Sequence, residues 1–156
     1  MIAAPILKVV LTFFLALYLF AFSLSSALAN VTPESCLDIN RSVAVSMLDA
    51  MVNDFGIQQS ELIIDKTQLS LLYKQKVTSQ IADFYAKDSY NNEAAHFFSE
   101  SKYKELYLES NAQNIIVKYD FVNAQNKHNI TIASLLVNDD ECSIRFNGYI
   151  VVKREF

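Results

Sequence analysis

Two cysteines, two histidines and one short acidic run are the side chains of this 156-residue chain with the strongest claim to chemistry. Cys36 and Cys142 lie far apart, whereas a catalytic dithiol usually shares a short C-x-x-C loop that tunes its pKa. A structural disulfide is the chemistry that suits them, provided the chain folds in an oxidising compartment. A Cys-His nucleophile pair would need free thiols and conflicts with that bond. Neither His96 nor His128 has a second imidazole one helical turn away, and zinc would need three or four ligands gathered from remote positions. His128 is expected in a turn.

Asn138-Asp139-Asp140-Glu141 is dense in oxygen ligands but lacks the alternating spacing and central glycine of a calcium loop. It reads as a solvated hairpin turn. With only two glycines, Gly56 and Gly148, the chain has no phosphate-cradling loop or dinucleotide fingerprint, and no G-x-S-x-G elbow occurs. No catalytic residue, cofactor or metal is therefore expected. What stands out instead is a crowd of tyrosines, Tyr85, Tyr90, Tyr103 and Tyr107; core packing explains most of them, and a cluster left at the surface would be a candidate protein interface.

The disulfide expectation rests on the amino terminus. Lys8 precedes an apolar run from Val9 to Phe22 broken by Thr12, then Ser23, Ser25 and Ser26, then Ala27-Leu28-Ala29. That is the pattern of a signal peptide over residues 1–29, cleaved after Ala29, which leaves a single α+β domain over 30–156 in the periplasm or outside the cell. An uncleaved anchor over Ile2 to Phe22 is the alternative. Cys36 follows Glu34-Ser35, so no lipoprotein-type attachment signal is present.

The 127 residues after Ala29 carry 12 basic and 17 acidic side chains, a formal charge of −5. The bases are scattered singly among acids, which excludes a nucleic-acid partner and disfavours anionic membrane surfaces. A chain of this length can bury a core without help from a metal. Two sequons, Asn40-Arg41-Ser42 and Asn129-Ile130-Thr131, would become relevant in a eukaryotic secretory pathway.

The elements that must position these groups follow from periodicity. Thr32-Pro33-Glu34 has the residues of a helix start, and Cys36, Ile39, Val43, Met47, Ala50 and Met51 recur at helical spacing up to Gly56, which sits where a C′ glycine belongs. The spacing predicts one long amphipathic helix with Cys36 on its apolar stripe. Thr67 to Lys74 suits a strand. A short helix is expected from Ser79 to Lys87, with Ile81, Phe84 and Tyr85 on one face, and further turns through Ala94, Phe97, Phe98, Tyr103, Leu106 and Tyr107.

In the last third, alternating Ile115, Val117, Tyr119 and Phe121, the turn Asn123 to Lys127, the apolar run Ile130 to Val137 and alternating Cys142 to Val152 predict a three-stranded antiparallel meander, with Cys142 facing inward on its last strand. The expected fold is α+β: a long N-terminal helix packed on a C-terminal antiparallel sheet of three strands plus a candidate fourth, with short helices between. The function these features permit is that of an exported, non-enzymatic binding or inhibitor protein, such as an immunity-type partner of a toxin. A small envelope hydrolase and a membrane-tethered envelope component are the alternatives.

Overall fold

A computed structural model describes residues 31–92 and 97–156. The predicted signal peptide, its cleavage point and His96 lie outside them.

Four antiparallel strands form one sheet in the order β1-β2-β3-β4: β1 Gln68–Lys76, β2 Gln113–Val122, β3 His128–Val137 and β4 Arg145–Lys153. The meander is present, and the candidate fourth strand joins it as β1. The β2-β3 turn forms because the Asn123 carboxamide oxygen accepts the N–H groups of Gln125 and Lys127, each at 3.0 Å. Asn138 does the same before β4, accepting from Asp140 and Glu141 at 3.0 and 2.7 Å. The acidic run is thus the turn its composition suggested.

One face of the sheet, here called inner, packs Ile115, Val117, Tyr119 and Phe121 of β2 and Ala133, Leu135 and Val137 of β3 against the helix α1 (Ser42–Ala50), whose Val43, Ala44, Met47 and Leu48 are buried. Tyr119 closes this layer by donating its hydroxyl to the Val43 carbonyl at 2.9 Å. The expected long helix is shorter at its start. Thr32 and Ser35 cap each other's backbone N–H groups, and Asn40 N–H donates to Asp38 Oδ1 at 2.9 Å. These local bonds offer the backbone an alternative to the helical ladder, so helix begins only at Ser42. At its other end α1 runs into a π-helical turn, Met51–Phe55, and stops at Gly56, whose φ of 71° is the left-handed cap conformation.

Between β1 and β2 the chain makes a helical hairpin, α2 (Ser79–Asn92) and α3 (Glu100–Leu106). Helix α2 runs past the expected Lys87. The hairpin forms a second apolar cluster of Val77, Ala82, Ala86, Tyr103, Tyr107 and Ala112 on Leu136 of β3. Leu136 alternates with the inner residues Leu135 and Val137, so the hairpin sits on the opposite, outer face.

Cys36 and Cys142 are joined, with Sγ atoms 2.14 Å and Cα atoms 5.3 Å apart. Their places differ from those expected. Cys36 lies in the turns before α1, and Cys142 in the loop before β4, so the bond ties two loops at the edge of the inner core rather than helix to strand.

The segment after β4 is latched to the neighbouring strand β3. Asn129, fully buried, donates to the Phe156 carbonyl at 3.0 Å and accepts from the N–H groups of Glu155 and Phe156 at 2.8 and 3.2 Å.

Tyr149 on β4 donates to Asp54 at 2.6 Å, and partial burial together with that carboxylate pushes its hydroxyl up to about 12. Burial also pushes Tyr119 up from 10.0. Below about pH 10 both phenols are neutral in folded and unfolded chains alike. Above it, the unfolded chain ionises first, so stability is lost between about pH 10 and 12. Denaturant titrations at pH 8, 10 and 11 should show a flat response and then a fall, and Tyr149→Phe should make that fall shallower.

Candidate functional site

The alternation that buries one side of β2 and β3 presents Ile116, Lys118, Ile132 and Ser134 on the outer side. The register sets Tyr73, Ile116, Ser134 and Gly148 side by side across all four strands, and Lys118, Ile132 and Ile150 across the last three. The α2-α3 hairpin covers only the Leu136 end of this face. Beyond it lies an open groove of about 430 Å³ lined by Ile116, Ile132, Ser134, Asn147, Gly148, Tyr149 and Ile150. On these rows Ile150 is 63% exposed and Tyr73 55%.

One end of the groove is polar because β4 is bulged. Ser134 pairs with Gly148 and Leu135 with Phe146, which leaves Asn147 as an extra residue, and Gly148 takes a φ of 113°. Asn147 is thereby brought beside Ser134 and Asn114. Ser134 donates to Asn114 at 2.9 Å, and the Asn147 amide donates to Ser134 at 3.0 Å and to Asn114 at 3.3 Å.

The chain of bonds continues into the helical layer. Arg145 Nε donates to Asn147 at 3.0 Å, and the two terminal nitrogens of its guanidinium donate to Ser89 and Asp88 of α2. Ser89 in turn bonds the Tyr107 hydroxyl at 2.8 Å. The guanidinium lies 5.1 Å from the centre of the Tyr85 ring and 5.9 Å from that of Tyr107, which are cation-π distances.

These contacts place the tyrosines. Tyr103 and Tyr107 are buried in the second cluster, and Tyr85 and Tyr90 are partly buried against it, so the four rings join the hairpin to the sheet. They do not form one exposed patch. Phe84, expected on one face with Ile81 and Tyr85, meets the Tyr85 ring edge-on with centres 5.4 Å apart yet is 66% exposed. Arg145, by sequence one of the polar residues that alternate along the last strand, is the pin of the assembly.

Its side chain is 15% exposed and that of Asp88 45%, so solvent screens the ion pair itself, and most of the stabilisation comes from the remaining hydrogen bonds and the two rings. Arg145→Ala should cost about 2 kcal/mol. Hydrogen exchange should show the loss concentrated in α2, with the amides of β2 almost unchanged; equal loss in both would contradict the pin.

Other candidate groups gather less. His128 opens β3 rather than sitting in a turn; its Nδ1 lies 2.7 Å from Asp120 Oδ1, and its backbone N–H donates to Glu155 at 2.6 Å. That bond and Lys153 hold the Glu155 carboxyl below its usual range. A second cleft of about 350 Å³ lies between α3 and the β3-β4 loop, with Glu109, Asp140 and Glu141 among its lining residues. His128 lines neither cleft. Among the described residues no group of three or more His, Cys, Asp or Glu is placed to hold a metal ion, and no helix is long and apolar enough to cross a membrane.

In comparisons with known protein families, curated proteins and solved structures, the chain matches none. The site must therefore be read from its own geometry. It offers an apolar floor with one polar end, and the polar groups at that end already bond one another. Such a surface can bind an apolar group with a polar edge.

Proposed function

We propose that this chain is an exported binding protein, of the inhibitor or immunity type, whose partner is another protein seated on the open outer face of the sheet. The observation that carries the reading is the asymmetry of the two faces. The inner face is packed against α1, while on the outer face Tyr73 and Ile150 stay exposed around the groove beyond the hairpin. Contiguous exposed apolar surface rimmed by polar groups is the usual mark of an interaction site. The apolar amino-terminal run and the joined cysteines support export, since such bonds persist in oxidising compartments.

The test is affinity capture from envelope extract with the mature chain and with Ile150→Lys. Ile150 is largely exposed, so the fold should survive the change, which circular dichroism can check. The wild-type chain should recover one stoichiometric protein, and the variant roughly tenfold less. Repeated empty captures, or equal recovery by a folded variant, would defeat the proposal. Intact mass of the exported protein tests the address: a species beginning at Asn30 supports it, and one beginning at Met1 supports a tether.

A further inference from the structure

Asn40, Arg41 and Ser42 satisfy the N-x-S acceptor pattern for N-linked glycosylation, and all three are exposed where the turn enters the first residue of α1. The bonds that shape this turn are local. Asn40 N–H and Nδ2 both donate to Asp38 Oδ1, at 2.9 and 3.0 Å, so the carboxamide can leave its partner without opening the core.

The other sequon is the opposite case. Asn129 is 1% exposed and uses both ends of its carboxamide to latch Glu155 and Phe156, and Thr131 is fully buried. A sugar on Asn129 would have no room and would remove the latch, so a chain modified there could not complete this fold.

We propose that Asn40 is an N-glycan acceptor and that Asn129 stays bare. In the step, Asn40 Nδ2 forms a bond to the anomeric carbon of an oligosaccharide carried on a polyprenyl diphosphate. The anomeric C–O bond to the diphosphate breaks, the lipid diphosphate leaves, and the amide proton passes to a base of the transferase. Asp38 stands two residues before the acceptor, the position at which bacterial-type transferases also ask for an acid. The pattern therefore suits either kind of export pathway. Because α1 covers the inner face, the glycan would stand on the side of the sheet away from the open groove.

The experiment expresses the full-length chain in a host with an active oligosaccharyltransferase, beside a control protein carrying a known occupied sequon, and reads intact mass, endoglycosidase release and peptide mapping on the exported product. One glycan per chain should map to Asn40. Ser42→Ala should abolish it and Ser42→Thr should keep it. Thr131→Val should change nothing: it removes the second sequon together with a buried hydroxyl that has no hydrogen-bond partner among the described residues, and it leaves Asn129 in place. A bare Asn40 beside an occupied control, a glycan on Asn129, or full mass in Ser42→Ala would overturn the proposal.

Discussion

Replacing Cys36 and Cys142 together by serine should lower the free energy of unfolding by about 4 kcal/mol and the melting temperature by roughly 15 °C. The bond spans 106 residues, and on chain-entropy grounds a loop of that length restricts the unfolded ensemble strongly. Both cysteines are also buried at the margin of the inner core, so each serine hydroxyl would lose water without a designed partner. Val31 donates to the Asp139 carbonyl at 3.0 Å in the same corner, and this loop-to-loop contact should loosen with the bond. Denaturant melts of the oxidised protein, the reduced protein and the double variant provide the measurement. The last two should agree closely; a loss below about 1 kcal/mol in both would mean that the core alone holds these loops in place.

A comparable loss is expected from the centre of the inner layer. Phe121 is fully buried and stacks on Tyr119 with ring centres 5.7 Å apart, between the sheet and α1. Phe121→Ala removes a ring from a close-packed site that both layers wall in, and the cost should be about 3 to 5 kcal/mol. Tyr119→Phe is the matched control. It keeps the packing and deletes only the hydroxyl bonded to the Val43 carbonyl, which should cost about 1 kcal/mol. If the two variants were equally destabilised, hydrogen bonding rather than packing would hold α1 to the sheet.

The strands were the legible part of this fold. Strand β2 alternates as its sequence does, whereas the bulge at Asn147 turns Ile150 of β4 to the face opposite Phe146; the turns between the strands are made by asparagines whose carboxamides bond their own neighbours. Such bonds depend on residues two to four positions apart and are present in the sequence itself. Gly56 is equally local, since a left-handed helix stop needs a residue without a side chain.

The start of α1 misled for a physical reason. Cys36 matches the helical stripe by spacing, yet it is held inward by Cys142, while Thr32, Ser35 and Asp38 spend their side chains on turn bonds that compete with the helix. The tyrosines were ambiguous for a different reason. Composition showed that they cluster but carried no sign of whether they face solvent or one another. Arg145 was invisible because all its partners but Asn147 come from other elements.

By itself, the sequence determined the strand periods, the turns between them, the helix stop at Gly56 and a cysteine pair without a catalytic spacing, because each depends on near neighbours or on residue type. The tertiary structure alone decided which face of the sheet is covered, where the hairpin ends on it, and that a bulge at Asn147 sets a polar end beside the apolar groove. Those features come from contacts between elements remote in the chain, and alternation along a strand supplies two faces without saying which of them another element will cover.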